Sequence, residues 1–161
     1  MDFLRAPSLV GATFTMGLVT GAFALYAHAI MPGLKTTDDR TFVAAFQSID
    51  RAIINPWFML FGFLGALVLT LAATLTQLGR DPLPWVAVAL GLYVIVVVIT
   101  LAVNVPLNDA IKAATDLDDA AAIRERFHEA RWAAFNLVRV VLSTAAFGCL
   151  LWALVVYGRS A

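Results

Sequence analysis

Apolar residues fall into four long runs, 7–31, 55–78, 83–104 and 133–157, separated by shorter segments in which polar and charged residues concentrate. A helix needs about 20 residues to cross a hydrocarbon core, so each run predicts a transmembrane span. Four spans put both termini on one side of a bilayer, together with the tight turn Gly79-Arg80-Asp81-Pro82. The opposite side receives two longer connections, 32–54 and 105–132.

Both connections carry helical periodicity. In the first, Phe42, Phe46 and Ile49 recur at i, i+4 and i+7 on a polar background, predicting a short amphipathic helix over the bundle mouth. Asn55-Pro56 then restarts a helix, with Asn55 as N-cap and Pro56 as the first helical residue. In the second, Asp116-Leu117-Asp118-Asp119 is a helix-start signal, and Ile123 and Phe127 form an apolar stripe among Arg124, Glu125, Arg126 and Glu129. That helix is expected to run unbroken into the fourth span. The third run ends in Asn104-Val105-Pro106-Leu107-Asn108-Asp109, where Pro106 should break or kink the helix and free carbonyls near Ala102 and Val103. The halves also resemble each other weakly, with Phe42, Phe46 and Asn55 falling on Ile123, Phe127 and Asn136, as a duplicated helical hairpin would.

Composition agrees with the pattern. Of 161 residues 61% are hydrophobic and 14% charged, with mean hydropathy +0.86, more apolar than one soluble core of this size can hide. The expected fold is all-α, an integral membrane four-helix bundle with two short amphipathic helices on one side, forming one domain over 1–161. The first run is too long for a signal-peptide core and lacks a small-residue cleavage site, so it reads as a retained span. Eleven basic and eleven acidic residues balance without any block of like charge, which argues against nucleic acid. The expected partners are membrane lipids and a hydrophobic small-molecule substrate, with a homo-oligomer also compatible. Lone Cys149 sits in an apolar run and forms no intrachain disulfide. Arg5, Arg80 and Arg159 lie on the terminal side; Lys35, Arg40, Arg51, Lys112, Arg124, Arg126 and Arg131 lie on the other, so the positive-inside rule favours cytoplasmic connections in a bacterial plasma membrane.

Topology alone gathers chemistry at one depth. His28, Asn55, Asn104, Asn108, Asn136 and Arg139 all fall at span ends on the connecting side, and polar groups inside lipid normally face the bundle and pair. Helical spacing places Trp132, Asn136, Arg139 and Ser143 on one face, with Arg139 roughly 9 Å into the span. Arg139 reads equally as a snorkelling structural arginine or as an oxyanion holder. His28 shares a face with Thr13, Gly17, Gly21 and Ala24, and Gly17-Leu18-Val19-Thr20-Gly21 is a close-packing GxxxG. A lone histidine there is more often a packing residue, yet it is the span side chain suited to proton exchange near neutral pH, hence the candidate base. His28 and His128, on separate segments, are too few for a metal or haem site; Asp50 or Asp109 completing a two-histidine, one-carboxylate site is not signalled by the spacing. Tyr26, Met31, Trp57, Phe58, Met59, Trp132 and Phe135 either wall an apolar pocket or form the interfacial aromatic belt.

Four motifs in order, Ala29-Ile30-Met31-Pro32-Gly33-Leu34, the run from Gln47 to Pro56, Asn104 to Asp109, and Glu129-Ala130-Arg131-Trp132 leading to Phe135-Asn136-Leu137-Val138-Arg139, resemble the DUF1772, or anthrone oxygenase-like, family over nearly the whole chain. The resemblance implies a four-span membrane oxidoreductase. Its better-known fungal relatives oxidise an anthrone methylene to the anthraquinone carbonyl with O2 as co-substrate, so no further cofactor is expected, although the residues leave a metal or haem open. In such chemistry His28 would fit as base, with Arg139, Asn104, Asn108 and Asn136 holding oxyanion and substrate; Asn55 and Trp132 complete the candidate substrate contacts. One departure stands out: Leu137 replaces a histidine of the family motif. A non-catalytic protein binding a hydrophobic ligand, or a subunit of a membrane complex, is the alternative.

Overall fold

The computed structural model describes residues 2–114 and 116–160, and among them every regular element is helical. Four helical segments, Arg5–Lys35 (α1), Phe58–Thr76 (α3), Leu83–Lys112 (α4) and the stretch Ala120–Ser160, are long and apolar enough to cross a membrane. Asp39–Ile53 is α2, and the last stretch divides into Ala120–Phe127 (α5) and Glu129–Ser160 (α6). The chain is an integral membrane protein built as a four-helix bundle. The spans run up and down around a ring, each packed on its chain neighbours, with α6 closing onto α1.

Small side chains let the helices approach. Ala12, Ala66, Ala73, Ala89, Ala146 and Ala153 are fully buried, interleaved with Leu9, Met16, Val19, Val86, Tyr93 and Leu150. The expected GxxxG contact is only half used: a Cβ on Gly17 would lie 3.1 Å from Phe147 of α6, while Gly21 is exposed with open space around it. The terminal side is tied by Arg5, whose Nε donates to the Thr76 carbonyl at 3.1 Å, and the turn into α4 uses Gly79 at φ 71.

On the connecting side α2 and α5 stack as a lid. Asp38 caps α2, accepting from the Thr41 N–H at 3.0 Å and the Thr41 hydroxyl at 2.6 Å, and Asp119 caps α5 through the Ala122 N–H. Their predicted stripes meet: Phe42, Phe46 and Phe127 are fully or almost fully buried, and the Phe46 and Phe127 rings lie 4.5 Å apart. Gln47 donates to the Ile111 and Ala114 carbonyls at 2.7 and 3.0 Å, and Arg124 joins Asp39 and Glu129 at 3.0 and 2.8 Å. Phe46 and Phe127 occupy matching positions in the proposed duplication, but Asn55 and Asn136 do not play matching roles.

Two expectations about helix continuity are corrected. Pro106 does not end the third span. A π-helical turn, Thr100–Asn104, precedes it, the Val105 N–H reaches back to the Thr100 carbonyl, and α4 continues to Lys112. The wider turn accommodates a residue that has no N–H and crowds the carbonyl four residues back. The second connection, by contrast, does break before the fourth span: His128 adopts φ 51, ψ 57, a left-handed conformation that turns α5 into α6.

Candidate functional site

Three π-helical turns converge at one depth, just beneath the lid. Tyr26–Ile30 in α1 precedes Pro32 as Thr100–Asn104 precedes Pro106, and the third, Phe58–Phe63, opens α3. There Gly65 is required: a Cβ on it would stand 2.7 Å from the Leu60 carbonyl oxygen, the group that the widened turn throws outward. Such turns displace the register of one helix face by a residue, and they concentrate at functional sites. Here they spread the helices around a cavity of about 180 Å³.

The wall is apolar, with Phe23, Phe58, Met59, Phe63, Leu101 and Val105, and the polar side chains gather on one side as Asp50, Asn108, Trp132, Thr100 and Arg139. Arg139 is 5% exposed. Its Nη2 donates to Asn136 Oδ1 at 2.9 Å, its Nη1 to Thr100 Oγ1 at 3.3 Å, and the guanidinium lies 4.4 Å from the Phe23 ring centroid. Among the described residues no carboxylate lies within ion-pair distance of it, and Nε has no partner. A buried cation without a counter-charge is costly, and the partners of this one are all neutral.

A second polar chain leads from the cavity to the surface. Trp132 Nε1 donates to Asn108 Oδ1 at 2.6 Å, and Asn108 Nδ2 donates to Asp50 Oδ1 at 2.7 Å. Asp50 Oδ2 is 2.9 Å from Lys112 Nζ, which also lies 3.2 Å from exposed Asp109. A buried carboxylate, a cavity wall and an aqueous surface are thus joined by four short contacts.

The candidate residues separate clearly. Arg139, Asn108 and Trp132 line the cavity. Asn104 and Asn136 lie buried behind it: Asn104 Nδ2 donates to the Trp132 carbonyl at 3.4 Å, leaving Oδ1 unpartnered, and Asn136 Nδ2 donates to the Phe23 carbonyl at 3.1 Å. Asn55 is exposed and caps the helix that begins at Pro56, accepting from the Phe58 N–H at 2.9 Å, as its sequence context predicts, and it does not line the cavity. His28 is exposed on the outer side of the first π turn and likewise does not line it. Among the described residues no three His, Cys, Asp or Glu side chains gather as metal ligands, so Asp50 and Asp109 meet neither histidine in that way. Of the aromatic and methionine set, Tyr26, Phe58, Met59 and Trp132 line the cavity, while Trp57 is exposed.

Asp50 is the residue that sequence reasoning undervalued. It stands one turn after Phe46 on the buried stripe of α2, and a carboxylate in register with that stripe was the available signal.

A model of the anthrone oxygenase family matches residues 49–149. The chain belongs to the anthrone oxygenase family. The matched region of this anthrone oxygenase relative holds Asp50, Asn108, Trp132 and Arg139, while Tyr26 and His28 precede it. No curated protein and no solved structure shows significant similarity to the chain. Leu137 is 56% exposed and does not line this cavity.

Proposed function

We infer that the protein oxidises an electron-rich phenolic aromatic of the anthrone type with O2, inside the cavity under the lid. The observation that carries this reading is Arg139, a buried guanidinium facing an apolar cavity without a carboxylate partner among the described residues. A phenolate formed from the substrate supplies the missing charge, and a preorganised donor in a water-poor site stabilises that charge more than water would. Asp50 is the carboxylate in the lining, oriented by Asn108, and takes the acidic benzylic proton; the Lys112 ammonium, paired with Asp50 and exposed Asp109, holds the carboxylate in place. This assigns the role of base to Asp50 in place of His28.

The balance is R2CH2 + O2 → R2CO + H2O. The substrate carbon is oxidised, one oxygen atom becomes the carbonyl, and the other leaves as water with both methylene hydrogens. O2 is apolar and dissolves in the walls of such a cavity, and the electron-rich carbanion is its reductant. The basic residues on that side, Lys35, Arg40, Arg51, Lys112, Arg124, Arg126 and Arg131, favour a cytoplasmic lid.

The test is O2 uptake by protein in nanodiscs supplied with an anthrone, with product identified by absorption and mass. Uptake matched by anthraquinone formation above the spontaneous rate supports the reading. Tight anthrone binding with no rate enhancement refutes catalysis and leaves a carrier of hydrophobic ligands.

A further inference from the structure

The lid closes the aqueous route to the cavity. Phe42, Phe46, Phe127 and Ile111 are fully or almost fully buried above it, and Gln47 and Arg124 bind the lid to its neighbours. The side facing the bilayer differs. On α4 the lining residues Leu101 and Val105 are exposed, Leu101 at 61%, and Ile54, which ends the lid helix α2 just before α3, is 55% exposed. Tyr93 Oη, donating to the Phe63 carbonyl at 2.9 Å, ties α3 to α4 deeper in the bundle, and beyond that tie the widened turns at Phe58–Phe63 and Thr100–Asn104 face each other across the opening.

Size restricts the occupant. An apolar cavity of about 150 Å³ takes up a benzene molecule, so about 180 Å³ holds a single substituted ring and anything larger must project through the mouth. The polar atoms of the lining belong to Arg139 and the Asp50–Asn108 pair, whereas the exposed lining residues Ile54, Leu101 and Val105 are all apolar.

We propose that the cavity is filled laterally from the membrane, between α3 and α4, by an amphiphile whose single hydroxylated aromatic ring reaches Arg139 while its apolar tail stays in lipid. This rests on the reading of Arg139 as a phenolate holder and adds how a substrate is seated there: an anthrone likewise places one hydroxylated ring inside and projects its remaining rings through the mouth. The ring enters oxygen first, because an apolar mouth and an inner cation orient it. The tail need not be recognised; partitioning concentrates it at the mouth.

The experiment measures equilibrium binding, without O2, of radiolabelled hydroquinones to the full chain in nanodiscs. One probe bears a long alkyl tail and the other a single methyl. Referred to the aqueous concentration, wild type should hold the tailed probe at least about tenfold more tightly, since each methylene that the bilayer keeps from water adds to the apparent affinity. Leu101→Trp, which fills the mouth, should weaken the tailed probe at least about tenfold more than it weakens the methyl probe. Ile54→Trp, on the opposite rim, repeats the test should Leu101→Trp misfold. Equal weakening of both probes, or of neither, overturns lateral entry. An alkyl alcohol of the same length that competes as well as the tailed hydroquinone overturns the ring specificity. Because no turnover is measured, these outcomes stand apart from anthrone oxidation, which can fail while lateral binding holds.

Discussion

Arg139→Met separates structure from chemistry at the centre of the site. The substitution keeps a long unbranched side chain and removes the cation. Asn136 Oδ1, in a fully buried residue, loses its donor at 2.9 Å, which costs about 1–3 kcal/mol. The cation over Phe23 at 4.4 Å is lost as well, a further ~0.5–2 kcal/mol. Against these stands relief of the desolvation of a charge that has no carboxylate beside it, several kcal/mol by burial estimates. The opposing effects leave folding stability within about 2 kcal/mol of wild type. Catalysis has no such compensation, because losing the donor to a developing oxyanion lowers the rate by about 100–1000-fold. Thermal unfolding in detergent and anthrone-dependent O2 uptake per folded molecule are the paired assays. Arg139→Lys, which retains charge but not the fork, should recover part of the rate. If Arg139→Met melts far below wild type while the folded fraction turns over normally, the arginine is a packing element and the proposed chemistry is wrong.

Asp50→Asn should preserve the bond to Asn108 in part but abolish the base, lowering O2 uptake by about 100–10,000-fold; an unaffected rate would exclude Asp50 from proton transfer. His28→Ala, on an exposed outer face, should leave uptake within about twofold, read in the same assay. Gly65→Ala forces a Cβ to within 2.7 Å of the Leu60 carbonyl, so it should lower the melting temperature and weaken ligand binding together. At the lid, the Thr41 hydroxyl and N–H hold the Asp38 carboxyl below the usual carboxylate range. The folded value is thus the lower one, and the cap's contribution is complete above about pH 4 and lost as pH falls through the folded value. Asp38→Ala should flatten that acid limb of the melting-temperature profile.

Much of the architecture follows from one-dimensional pattern. Runs of apolar residues longer than a bilayer is thick have few alternatives to spanning helices, because every backbone group must then be bonded within its own helix. The lid helices were legible in their faces, since Phe42, Phe46, Ile123 and Phe127 keep helical period, and the run Asp116-Leu117-Asp118-Asp119 marks a helix start, but the break at His128 was not. That Asn108, Trp132 and Arg139 share a site follows from topology and helical spacing.

Local sequence did not determine how each helix faces its neighbours around the cavity, because a π turn shifts register by one residue and swings every later side chain around the axis. The Tyr26–Ile30 turn carries His28 outward while Tyr26 faces the cavity, and Thr100–Asn104 lets α4 pass Pro106 with Asn108 aimed at Asp50. Asn55, with the same residue type as Asn136 at a span start, is consumed as an exposed cap. Whether Asp50 is a lid ornament or a cavity carboxylate depended on α2 folding back over the bundle, a contact between segments far apart in the chain. The sequence by itself determined four spans, two lid helices and the depth at which polar groups collect, since each follows from period and length. Only the tertiary structure decided which of those groups share a cavity and which are spent on capping, because these depend on rotations and gaps that exist only once the helices pack.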